Sequence, residues 1–219
     1  MIRKENFVPG YFYHIYNRGV EKRGIFLDER DYKRFMEYLY LFNDDKPVEY
    51  RGRTSEKREK LVDILCFTLM PTHFHFILSP AKEDGLVKFM RKIMTGYAMY
   101  FNKKYKRTGV LFESRYKSKL IETDTYFCHL TRYIHMNPLG LIFPEWEEKG
   151  IDDWDNAIGF LKNYKWSSFL FYSEKINSYN ILSEELILNH LEIELGEKYI
   201  EFITWWRTGL RNDKETFCC

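Results

Sequence analysis

The sequence predicts an α+β domain built on a four-stranded antiparallel sheet, and three observations carry the prediction. Strand-like and helix-period segments follow one another in the order β-α-β-β-α-β, with a further helix after the last strand. Only Pro71 and Thr72 separate the two middle strands, a link so tight that they should pair as an antiparallel hairpin. A composition of 45% hydrophobic and 18% aromatic residues in 219 residues is enough for the core of one domain of ordinary size.

The first strand is read from Tyr11 to Gly19, YFYHIYNRG, an aromatic and β-branched run with a glycine stop. Asp28 then offers an N-cap to a helix whose apolar positions Phe35, Leu39 and Phe42 recur at helical spacing, ending near Asn43. Residues 44–60 are charged, contain Pro47 and Gly52, and read as an exposed connection. VDILCFTLM, residues 62–70, is a buried-type second strand, and the third follows the Pro71-Thr72 turn. Leu86, Met90, Ile93, Tyr97 and Phe101 trace one face of a long helix. RYKSKLIE, residues 115–122, alternates as a fourth strand. Thr123 or Asp124 caps the next helix, which Pro138 should end close to Asn137. This order is the split β-α-β, or ferredoxin-like, arrangement. Residues 1–145 are expected to form this domain, 146–175 an irregular segment packed on it, and 176–219 a helical, acidic extension. In that extension one helix should open at Ser183 and run through EELILNHLEIEL, and a second should fall in EKYIEFITWWRTGL.

The N-terminus has no apolar run that reads as a signal peptide, and no stretch approaches a membrane span, so no membrane partner is expected. Four cysteines without metal-type spacing argue against a disulfide framework and for a reducing cytoplasm. The net charge of +2 hides a strong asymmetry. From Leu86 to Lys119 there are ten basic residues against the single acid Glu113, whereas residues 140–219 carry 15 acids and eight bases. Such a distribution fits a polyanion-binding region followed by an acidic appendage, although a charge run is as often a solvated face. Tyr97, Tyr100, Phe101, Tyr105, Phe112 and Tyr116 are interleaved with the basic residues. They either stack on unpaired bases or fill the core.

Two constellations carry chemistry. In MPTHFHFILSP, His73 and His75 are two apart on a strand, so both imidazoles project from one face and Phe74 from the other. Such a pair can share a divalent ion, and it can equally be two hydrogen-bonded imidazoles of a half-buried strand. In RYIHMNP, Tyr133 and Asn137 are four apart and share a helix face. A phenol is a nucleophile and a carboxamide oxygen a hard metal ligand, the two functions that phosphodiester cleavage needs close together. A tyrosine packed on the sheet is the plain alternative. His129, four before Tyr133, and His135 read more readily as packing histidines, and Cys66 and Cys128 as small core residues.

MPTHFHFILSP resembles the histidine–hydrophobic–histidine motif of HUH endonucleases, in their single-tyrosine transposase branch. YFYHIYNRG, GVLFESRYKSKLI, RYIHMNPLG and YKWSSF are similar, in the same order, to blocks of the REP-associated tyrosine transposases, and the likeness spans residues 11–169. The resemblance implies that His73, His75 and Asn137 are metal ligands and that Tyr133 is the nucleophile. It implies magnesium or manganese as cofactor and single-stranded or hairpin DNA as partner. The reaction would be nicking with a 5′-phosphotyrosine intermediate, followed by strand transfer. The family includes both monomers and homodimers. In this setting Lys103, Lys104 and Arg107 at the end of the long helix, Arg115 and Lys117 at the start of the fourth strand, and Arg18 in YNRG are expected to contact DNA phosphates. A DNA-bound chain would sit on the nucleoid. The competing reading is a non-catalytic ferredoxin-like nucleic-acid-binding protein, against which HFH is a poor stacking platform. A metal hydrolase using activated water is a third, and it would leave no protein–DNA adduct.

Overall fold

The computed structural model describes residues 6–46, 59–176, 180–191 and 193–205. Its centre is a four-stranded antiparallel sheet in the order β2-β3-β1-β4, formed by β1 (Phe12–Arg18), β2 (Val62–Met70), β3 (His73–Pro80) and β4 (Lys117–Ile121). With α1 (Glu29–Leu41) between β1 and β2 and α2 (Gly85–Lys104) between β3 and β4, this is the expected ferredoxin-like order. A third helix, α3 (Asp124–Met136), follows β4.

Side-chain alternation divides the sheet into two faces. Phe74 and Phe76 of β3 meet Phe35 of α1, and Asn17 of β1 reaches Met94 of α2, so α1 and α2 cover one face. His75 of β3 meets Tyr133, Cys66 of β2 meets His135, and Phe12 of β1 meets Phe127, so α3 covers the other. Leu65 forms a bulge between Ile64 and Cys66, and beyond it Cys66, Thr68 and Met70 pair with Ile77, His75 and His73 on the α3 side.

Local chemistry fixes the ends of these elements. The Asp28 carboxylate accepts from the backbone N–H groups of Arg30 and Asp31, and Asp31 reciprocates, closing a capping box on α1. The helix ends at Leu41, and Asn43 then takes another role. Its side chain donates to the Val62 carbonyl and accepts from the N–H groups of Leu61 and Val62, which ties the helix exit to the start of β2. Thr123 caps α3 through Tyr126 N–H, and Pro138 follows in a 3-10 turn over Asn137–Leu141. Most of the charged 44–60 connection lies outside the described residues.

The expected irregular segment 146–175 is instead largely helical. It contains α4 (Trp146–Lys149), α5 (Trp154–Asn163) and α6 (Phe169–Glu174). Asp153 caps α5, and Trp154, Ala157 and Leu161 recur at helical spacing on its buried side, a short period that the surrounding acids and asparagines obscure. Residues 166–168 run antiparallel to the outer edge of β2, with Leu69 N–H donating to the Trp166 carbonyl and Ser168 N–H to that of Phe67. The C-terminal unit is helical in α7 (Glu184–His190) and α8 (Glu197–Thr204). The helix expected through residue 195 stops at His190, and beyond it Leu191, Ile193 and Leu195 are half-buried against the core. One buried apolar cluster runs from Phe7 to Ile203, so α8 shares the core of the sheet domain.

Candidate active site

The hairpin and α3 bring His73, His75, Tyr133 and Asn137 together. Nε2 of His73 lies 3.1 Å from Oδ1 of Asn137. The rings of His73 and His75 meet edge-on with centroids 5.1 Å apart, and Tyr133 meets His75 edge-on at 5.9 Å. His73, His75 and Tyr133 line a pocket of 190 Å³ with Arg18, Glu113 and Lys117. Phe74, as expected, points to the opposite face and is fully buried.

Each imidazole is oriented from behind. Nδ1 of His73 is 3.0 Å from Oγ1 of Thr72, and Nδ1 of His75 is 3.0 Å from Nε2 of His14. The rear contact is to Nδ1 in both rings, but Nε2 of His73 also donates to Oδ1 of Asn137, so binding an ion through that nitrogen requires the ring proton to move to Nδ1. This outer layer of hydrogen bonds is the one that fixes metal-binding histidines. Burial keeps both rings neutral. It pushes the pKa of His75 well below the ordinary value, helped by His14 and His73, and it lowers that of His73, helped by the charge of Arg18 and opposed by the bond to Asn137. His14 is lowered to about 3 by burial and by Lys119. Two neutral imidazole nitrogens and one carboxamide oxygen are a donor set that fits a divalent ion. Among the described residues no group of three or more histidine, cysteine and acidic side chains is placed to hold a metal ion.

The basic residues assigned to DNA separate into two groups. Arg18 and Lys117 line the pocket, Lys117 with its ammonium 5.6 Å from the Tyr16 ring, and Arg115 is exposed beside them. Lys103, Lys104 and Arg107 lie at the end of α2, whose helix covers the other face of the sheet. Lys103 is exposed, and Arg107 folds back to donate to Asn102 at 3.0 Å over the Phe101 ring. Lys104 is a correction: its ammonium lies 2.7 Å from both Asp28 and the fully buried Asp31. It locks α2 to α1. The interleaved aromatics also prove structural, with Tyr97 and Phe101 buried and Tyr100 and Tyr105 donating to Asp31.

His129 and His135 turn away from the pocket. His129 meets Arg132, whose guanidinium lies 4.6 Å from the Phe202 ring of α8. His135, fully buried, is 2.7 Å from both Ser168 Oγ and Tyr199 OH, and burial lowers its pKa to about 3. Cys66 and Cys128 are buried and form no disulfide, and burial pushes the thiol pKa of Cys66 up. The orienting role of His14 and the pairing of Arg18 with Glu113 escaped sequence reasoning. Strand parity with His75 was the available signal for His14, but it needs the β1–β3 register, in which Tyr16 opposes His75 and His14 opposes Ile77.

The family model described as "Transposase IS200 like" matches residues 9–137, which contain all four of these residues. The chain belongs to the IS200-like transposase family. Among solved structures, a REP-associated tyrosine transposase bound to a REP hairpin shares the fold with a TM-score of 0.52 at 14% identity, covering 78% of this chain and 84% of that one. The resemblance drawn from the sequence blocks is therefore borne out at the level of family and fold. No curated protein matches the sequence significantly. No helix among the described residues of this transposase-family chain is long and apolar enough to cross a membrane.

Proposed function

We propose that this IS200-like family member is a metal-dependent single-stranded DNA endonuclease and strand transferase that works through a 5′-phosphotyrosine intermediate at hairpin DNA. The observation that carries the reading is the convergence of Tyr133, His75 and the His73–Asn137 pair on one pocket with Arg18 and Lys117 at its wall. Support for a DNA partner comes from the relative that holds a REP hairpin.

His73, His75 and Asn137 would hold a magnesium or manganese ion. When bound, such an ion stabilises negative charge on phosphate oxygens and on the leaving oxygen. Arg18 and Lys117 draw the strand in and orient its phosphate. Tyr133 attacks the phosphorus; the Oη–P bond forms and the P–O3′ bond breaks. The phenol loses its proton and the departing 3′ oxygen gains one, so the step is balanced without an external energy source. The 3′-hydroxyl of another strand reverses the reaction and completes transfer.

The test is incubation with hairpin-bearing single-stranded DNA and manganese, followed by denaturing electrophoresis. A covalent adduct is expected for the native chain and none for Tyr133→Phe, which should still bind DNA. An adduct with Tyr133→Phe would reject the nucleophile, and cleavage without adduct would favour activated water. Undiminished cleavage after chelation, or in the His73→Ala/His75→Ala double variant, would reject the metal role.

A further inference from the structure

Glu113 is the one acid in the basic stretch of residues 86–119, and the fold carries it to the wall of the histidine pocket. It arrives there by design of the backbone. Gly19 bridges to Phe112, and the N–H of Glu113 donates to the Arg18 carbonyl at 2.9 Å. The carboxylate then meets the guanidinium of Arg18 in a two-point contact, Nε to Oε2 and Nη2 to Oε1, the second at 3.0 Å. A guanidinium binds a phosphate with the same fork. Both side chains are nearly half exposed, at 46% and 40%, so the contact is open to competition from solution. The pocket thus presents an anion where an incoming strand must place another.

We propose that Glu113 is a phosphate surrogate: it occupies the fork of Arg18 until a backbone phosphate of single-stranded DNA takes its place. The inference rests on the DNA-cleaving reading of the same site. Three consequences follow from the chemistry. Arg18 stays pointed into the pocket in the absence of DNA rather than sampling solvent. An isolated stray anion must displace a carboxylate that the chain itself supplies, whereas a polynucleotide does so with the help of Lys117 and the neighbouring contacts. The displaced carboxylate regains counter-ions, which offsets part of the ion release that accompanies phosphate binding. The guanidinium holds the Glu113 carboxyl below its usual range, so it is anionic throughout neutral pH.

The experiment measures binding of a fluorescent hairpin oligonucleotide with a single-stranded tail, at several salt concentrations and constant magnesium. The Tyr133→Phe background prevents cleavage. Glu113→Gln should tighten binding about two- to fivefold at low salt and steepen the slope of log affinity against log salt by about 0.7, the value for one added phosphate contact on a single strand. Arg18→Ala should weaken binding, and Glu113→Gln on top of Arg18→Ala should add little, because the surrogate then has no fork to occupy. Weaker or unchanged binding with Glu113→Gln would overturn the proposal while leaving the DNA reading intact. Equal tightening with and without Arg18 would also overturn it, leaving Glu113 as bulk charge. If the background protein binds no single-stranded DNA, the DNA reading fails and takes this one with it.

Discussion

Nε2 of His14 lies 3.0 Å from Nδ1 of His75, so the first strand orients a ring carried by the hairpin. His14 also stacks on Tyr16 and is buried behind that ring. Replacing it with phenylalanine keeps the stack and removes the acceptor. His14→Phe should lower manganese-supported cleavage about 10- to 100-fold, the usual range for losing an orienting partner of a ligand histidine. A manganese titration of adduct formation checks this, and part of the loss should return at high metal. A native manganese dependence would show that His75 needs no such support.

Asn137 meets the other nitrogen of His73, Nε2, from the 3-10 turn after α3. Asn137→Ala removes the only oxygen of the donor set, and metal affinity is expected to fall by at least about 10-fold, the lower figure for losing even an outer partner of a ligand. Asn137→Asp keeps an oxygen at the same reach and adds charge, so it should retain much of the activity. Isothermal titration with manganese, together with the adduct assay, separates the two. Equal loss in both variants would mean that the amide nitrogen matters rather than the oxygen.

Acid should destabilise this fold well before its carboxylates are protonated. His14 and His135 are buried with pKa values lowered to about 3, against 6.5 for an exposed histidine. Between those values the unfolded chain binds more protons than the folded one, so stability rises with pH. The contribution is complete above pH 6.5 and is lost as pH falls towards 3. By pH 5 each ring should have cost about 2 kcal/mol relative to neutral pH. Urea midpoints at pH 7.5 and 5 measure the slope, and His135→Gln should flatten it even if it lowers stability at both.

Lys104 and Lys117 should exchange the roles that their place in one basic stretch would assign alike. Lys104→Met strands the buried Asp31 and should cost about 1–3 kcal/mol of folding stability with no change in the salt slope of DNA binding. Lys117→Ala should leave the melting temperature unchanged and lower that slope by about 0.7. Thermal melts and salt titrations of both variants decide it. A salt-slope change in Lys104→Met would return that residue to the DNA path.

The strand and helix order was legible because each element carries its own period and punctuation: the Pro71-Thr72 turn, the Asp28 and Thr123 caps, the stop before Pro138. His73 with His75 and Tyr133 with Asn137 were legible in pairs, since the members of each pair are at most four residues apart. Their union was not, because it depends on α3 packing over β3, a contact between residues about sixty apart. The pairing of Lys104 was not legible for the same reason, as the acid that captures it lies 73 residues earlier. The helices of 146–175 were obscured by acids and asparagines around a short buried stripe, whose partner surfaces the sequence does not display.

Residues 166–168 pair with the outer edge of β2 over Phe67–Leu69. An edge covered in this way offers no row of spare N–H and C=O groups along that stretch for a strand of another molecule to extend. The WSS segment thus removes one place where the sheet could grow into a neighbour.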